Sequence, residues 1–169
     1  MGDDVIELDG ISSALDGAFR EVMETMIGLS VGEPGSESPA GGDQLGSIIG
    51  LAGPEFRGML HVTCSLNAAT TFASVLLGGE EALEGDASLV GDSMGEIANM
   101  IAGSVKRRLD GTGARIHLSL PSVLQGEAEV LGLHGTGDVH YSWSVEGHPV
   151  RTSLVYTRDA TAFEDICKK

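Results

Sequence analysis

The 169-residue chain sets 10 Lys and Arg against 25 Asp and Glu, a formal net charge of −15, and is 41% apolar but only 4% aromatic. That size fits one domain with an aliphatic, methionine-containing core, and the charge repels nucleic acid and anionic lipid, so neither is an expected partner. The acidic start, 1–10, lacks the basic and apolar regions of a signal peptide, and no apolar run approaches the ~20 residues that span a bilayer, so a cytoplasmic protein with no membrane partner is expected.

Residues 1–10 read as an acidic tail, 11–157 as the folded domain and 158–169 as a C-terminal tail. Ile11, Leu15, Phe19, Val22, Met26 and Leu29 recur at helical spacing and predict a helix over Ile11–Leu29. Glu33–Gln44, rich in Pro, Gly and acidic residues, reads as a mobile loop without chemistry. Leu45–Gly53 and Phe56–Ser65 read as strands joined at Gly53-Pro54. In the second, Phe56, Leu60, Val62 and Cys64 share one face; Arg57, Met59, His61 and Thr63 share the other. Asn67–Leu77 reads as a helix capped near Ser65 or Asn67 and stopped by Gly78-Gly79, with an acidic loop, Glu80–Gly85, after it.

A long helix starts at Asp86 or Ser88 and runs to about Leu109, with Gly111 and Gly113 ending it. Further strands are expected at Ala114–Leu120, Val123–Leu133 with a break at Gly126, Val139–Val145 and Val150–Thr157, the last two joined by Glu146-Gly147-His148-Pro149. The predicted fold class is α+β, a mostly antiparallel sheet of about five to six strands with three helices packed on it.

Sorted at about 100° per residue, Val90, Met94, Ile97, Ile101 and Val105 form the buried stripe of the long helix, while Asp92, Glu96, Asn99 and Gly103 fall in a narrow arc on its far side. A surface optimised for stability alone would seldom hold Asn and Gly there, because Asn competes for backbone groups and Gly costs about 1 kcal/mol relative to Ala. Gly103 also removes bulk where another molecule could approach Asn99. The other motifs are weaker. Gly111-Thr112-Gly113 and Gly135-Thr136-Gly137 are turns without the strand-to-helix context of a phosphate loop. Lys106-Arg107-Arg108 suits a helix C-terminus. The five histidines, His61, His117, His134, His140 and His148, are scattered, and no metal site is expected. Trp143 and Tyr141 are expected to pack in or at the edge of the sheet, Cys64 to be a core residue and Cys167 a free terminal thiol, with a disulfide between the two cysteines disfavoured.

The stretch Gly95-Glu96-Ile97-Ala98-Asn99-Met100-Ile101-Ala102-Gly103 resembles the signature helix of the CheC/CheX/FliY phosphatases, CheX in particular. Asp92, Glu96 and Asn99 match the family pattern of Asp or Ser, then Glu, then Asn, and Pro121 stands where a downstream proline is expected. Leu120–Gly126 is similar to the strand that follows in CheX, and the helix with Phe19, Val22, Met23 and Met26-Ile27-Gly28 is similar to the family's first helix. That first helix lacks the second Glu-x-x-Asn of CheC and FliY, which is the CheX arrangement of one site per chain.

The resemblance implies a phosphatase that hydrolyses the aspartyl phosphate of a CheY-like receiver domain in chemotaxis or two-component signalling. It assigns Asn99 to aligning the attacking water and Glu96 to the receiver's active-site lysine. It gives Asp92 to the receiver's rim or the helix start, Gly103 to close approach, and Pro121 a structural role beside the helix. It implies no cofactor on this chain, Mg²⁺ on the partner receiver, and a homodimer with Val139–Val145 and Val150–Thr157 as the candidate dimer edge. Two other readings remain open: a non-enzymatic domain of the same fold that binds a receiver or flagellar switch, and a sensory domain with a ligand pocket in the sheet.

Overall fold

The computed structural model describes residues 8–33, 35, 43–54, 56–83, 86–111, 115–126 and 137–157. Most of both expected tails, most of the Glu33–Gln44 loop, Glu84-Gly85, 112–114 and 127–136 lie outside these residues, and His134 and Cys167 with them. Three helices, α1 (Leu8–Arg20), α2 (Leu66–Leu77) and α3 (Ser88–Asp110), accompany six strands. The strands are β1 (Gln44–Ala52), β2 (Arg57–Ser65), β3 (His117–Leu118), β4 (Ser122–Gln125), β5 (Gly137–Val145) and β6 (His148–Thr157). They form one antiparallel sheet in the order β3-β1-β2-β6-β5, with β4 also paired to β1. The predicted α+β architecture holds.

Alternation along the strands decides which face meets the helices. Opposite partners Leu45↔Cys64, Ile49↔Leu60, Leu60↔Leu154 and Trp143↔Val150 stack apolar groups across the sheet, and all of these are buried. α3 lies centrally, packing on α1, α2, β1 and β2. Phe19 of α1 stacks on Trp143 of β5 with ring centroids 4.6 Å apart, and the Trp143 indole N–H donates to Thr152 Oγ1 at 2.9 Å. The one tryptophan thus joins the first helix to the last two strands, with its polar atom satisfied.

Local signals explain the helix ends. Ser65 Oγ accepts from Ala68 N–H at 3.1 Å to cap α2, and Gly78 closes it in the left-handed conformation at φ 88°. At the start of α3, Asp86 Oδ1 accepts from the backbone N–H of Ser88 at 2.9 Å. Glu146 and Gly147 both have positive φ, 48° and 78°, as a two-residue hairpin turn requires.

Several expectations are corrected. The first helix does not run regularly to Leu29: Glu21–Ile27 is π-helical, ending at Gly28 with φ 90°. The i→i+5 pattern shifts the phase, so Met23 is buried while Met26, expected on the apolar stripe, is 56% exposed. The strand expected at Ala114–Leu120 pairs only at His117–Leu118, and that at Val123–Leu133 is described only as Ser122–Gln125. Both pair with the same edge of β1, which leaves each a short stretch of partner. The hairpin connection is two residues rather than four, because His148 and Pro149 pair with Val145 and Ser144. β6 is an interior strand between β2 and β5, so Val150–Thr157 presents no edge. His61 and Thr63 lie on the sheet face opposite the helices, as alternation places them, and are buried there. The expected acidic loop begins as a short 3₁₀ turn, Glu80–Leu83.

Candidate functional site

Helical periodicity alone places the predicted stripe. Val90, Met94, Ile97, Ile101 and Val105 are all buried, and Ser93, Ala98, Ala102, Ser104 and Leu109 join them, so α3 buries more than half its circumference. The remaining arc holds Asp92 and Glu96, both exposed, with Asn99 and Gly103 half-buried. A Cβ built on Gly103 would meet no atom within 4 Å, so the space beside Asn99 is open. The four predicted residues therefore share one accessible face.

Pro121 borders that face. A Cβ on Gly95 would lie 3.6 Å from Pro121 Cγ and 3.4 Å from Val123 Cγ2, and one on Gly91 would lie 3.7 Å from Val123 Cγ1. Two glycines a turn apart thus make a shallow track on α3 along which the β3–β4 segment lies. Sequence reasoning singled out Gly103 and missed Gly91 and Gly95, although their spacing of four residues was the available signal. The segment is also tied to the sheet: Ser119 N–H donates to Gly50 O at 2.9 Å, Gly50 N–H donates to Ser119 Oγ at 2.9 Å, and Ser119 Oγ–H donates to Leu120 O at 2.8 Å.

The charged groups at the C-terminal end of α3 serve the fold. Arg107 and Arg108 converge on Glu21 of the π-helical segment at 2.8 and 3.1 Å, and Ser104 Oγ–H donates to the same carboxylate at 2.6 Å. The Ser104 hydrogen bond, helped by both arginines, holds the Glu21 carboxyl below its ordinary range. Lys106 pairs with Asp110, whose other oxygen accepts from Ile116 N–H at 2.8 Å. Glu21 thereby joins the π-helical segment after α1 to the C-terminal end of α3.

The described histidines have structural partners or stand apart. His61 Nε2 lies 2.7 Å from Thr63 Oγ1, and burial, then Arg151, lowers its pKa. His140 pairs with Asp138 at 2.6 Å, and His148 meets Phe72 edge-on at 6.2 Å. Among the described residues, no group of three or more His, Cys, Asp or Glu could hold a metal ion. No helix among them is long and apolar enough to cross a membrane. Cys64 is buried and free, its thiol pushed up to about 12 by burial.

The face offers two carboxylates and an amide, groups that can align water and bind a cation or polar group on a partner.

Comparison with known proteins agrees with this architecture. The family model described as "Chemotaxis phosphatase CheX" matches residues 45–140, more than half the chain and inclusive of α3 and Pro121. The CheX structure from Vibrio vulnificus is similar at 24% identity and a TM-score of 0.71, covering 86% of this chain and 95% of that one. CheX from Desulfovibrio desulfuricans is similar at 21% identity and a TM-score of 0.69, covering 85% and 97%. The structure of a CheX–CheY–BeF₃–Mg²⁺ complex from Borrelia burgdorferi is similar at 21% identity and a TM-score of 0.66, covering 89% and 97%. No curated protein sequence matches the chain.

Proposed function

The chain belongs to the CheX family of chemotaxis phosphatases, whose members remove the aspartyl phosphate of CheY-like receivers, and we propose that the Asp92–Glu96–Asn99 face of α3 is where it does so. The observation that supports this most is an accessible stripe of two carboxylates and an amide, matching the family pattern and opposed by a fully buried stripe on the same helix.

Phosphoryl transfer to water passes through a loose transition state, so positioning and charge stabilisation carry the catalysis. Asn99 holds the attacking water in line with the breaking P–O bond, its carbonyl accepting from the water and its amide donating, without changing its own charge. Glu96, exposed one turn earlier, accepts a charge-assisted hydrogen bond from a lysine on the receiver. Asp92 meets the receiver's rim, and Gly103 leaves room for its backbone. Mg²⁺ belongs to the receiver in this reading; the Borrelia burgdorferi complex contains CheY, BeF₃ and Mg²⁺ together with CheX.

A homodimer with one site per subunit is part of the proposal. The outer edge of β5 carries backbone bonds from Gly32 and Gly35 to Ser144 and Ser142 over its second half. Its first half, residues 137–141, is the stretch we assign to the dimer contact.

The test is multiple-turnover decay of a phosphorylated CheY-like receiver with substoichiometric protein. Accelerated decay supports the reading; stable binding with unchanged decay favours the non-enzymatic alternative instead.

A further inference from the structure

Seven large apolar side chains are prominently exposed among the described residues, and Leu120 exceeds the rest at 87% against 56% for the next. Exposure of that degree on a tethered segment is unusual, because a mobile chain could fold its leucine back whereas this one is fixed. Leu120 O is held by Ser119, Ser119 is bonded twice to Gly50 of β1, and Pro121 is seated against Gly95 of α3. The leucine is therefore presented outward by a braced backbone.

Its position gives the exposure a direction. Gly95 immediately precedes Glu96 and lies one turn before Asn99, so the residue preceding Pro121 stands on the flank of the polar stripe. Val123, 38% exposed, continues that flank along Gly91 and Gly95. The accessible surface of this region thus has a polar lane on α3 and an apolar margin beside it.

We infer that Leu120 is the apolar anchor by which the phosphorylated receiver docks beside the polar stripe of α3. This inference rests on the receiver reading above and adds to it the residue that supplies affinity. The polar lane is suited to water and lysine rather than to affinity, since desolvating Asp92 and Glu96 offsets much of what their contacts contribute. The chain's net charge of −15 also gives no general attraction to an acidic partner. An exposed leucine beside a polar lane provides what both lack, a burial term that leaves the chemistry untouched.

The experiment titrates a beryllofluoride-activated CheY-like receiver against wild type, Leu120→Ala and Asn99→Ala, and follows steady-state dephosphorylation by each. Leu120→Ala is expected to raise Kd and KM about tenfold with kcat within about twofold, and its melting temperature to match wild type because the side chain is already in water. Asn99→Ala is expected to do the reverse, lowering kcat while Kd holds. The inference is overturned if Leu120→Ala binds the receiver as tightly as wild type, or if its loss falls on kcat. Should wild type bind the receiver without accelerating decay, the phosphatase reading fails alone, and the Kd comparison still decides Leu120. Should wild type not bind at all, both fail.

Discussion

Replacing Gly103 separates stability from function more cleanly than any other single change in the α3 face. A methyl group at this position meets nothing within 4 Å, and Gly103 is interior to a 23-residue helix. Gly→Ala there recovers about 1 kcal/mol of backbone entropy and helix propensity. For a chain of this size that corresponds to a rise of about 2–4 °C in melting temperature. The same methyl occupies the space through which a partner would come close to Asn99. A misplacement of about 1 Å can cost on the order of a hundredfold in rate. Gly103→Ala is therefore expected to lose about tenfold in kcat/KM and Gly103→Leu about a hundredfold or more, with both variants at least as stable as wild type, since Ala and Leu are strong helix formers. Thermal melts read the first quantity and phospho-receiver decay the second. A fall in melting temperature for Gly103→Ala would refute the open geometry at this position. Full activity in Gly103→Leu would refute the close approach.

Other consequences concern the core and the helix junction. Glu21→Gln should destabilise the domain by about 1 kcal/mol at pH 7 in urea unfolding, the partial exposure of Arg107 and Arg108 keeping the value small. Because Glu21 titrates below its ordinary range in the native state, its contribution is complete above the unfolded-state pKa and is lost as pH falls through the native one. The gap between variant and wild type should therefore close at acid pH, and a gap that persists there would contradict the charge pairing. In a Cys167→Ser background, Cys64 should resist thiol reagents at pH 8 until the protein is unfolded, because burial holds its thiol at about 12. Native-state labelling as fast as that of the unfolded chain would show the β2 core face to be open.

The helix that carries the stripe was legible almost residue by residue, because one long element repeats its period over six turns and every apolar position has a core to face. The first helix was legible only up to Arg20. Beyond it the chain winds as a π-helix from Glu21, whose carboxylate meets Arg107 and Arg108 more than eighty residues away. The regular apolar spacing of the segment does not announce the wider winding that leaves Met26 exposed. The short strands failed for a related reason. β3 and β4 are limited by the single edge of β1 that they divide, which alternation within either segment does not reveal. The α3 face divides the same way. Asp92, Glu96, Asn99 and Gly103 could be grouped by angle, and the family resemblance proposed their roles. The spacing of Gly91 and Gly95 is in the sequence, but what lies along them, Pro121 and Val123 with the braced Leu120, is set by a segment that reaches α3 only in three dimensions.

The central claim is that Asn99 on the open face of α3 aligns the water that hydrolyses a receiver's aspartyl phosphate. Its most direct test is the decay rate of a phosphorylated CheY-like receiver in the presence of wild type and of Asn99→Ala at equal, saturating concentration. Wild type is expected to accelerate decay strongly, and Asn99→Ala to lose at least about a hundredfold of that acceleration with unchanged receiver binding. Acceleration by Asn99→Ala equal to that of wild type would contradict this role for Asn99.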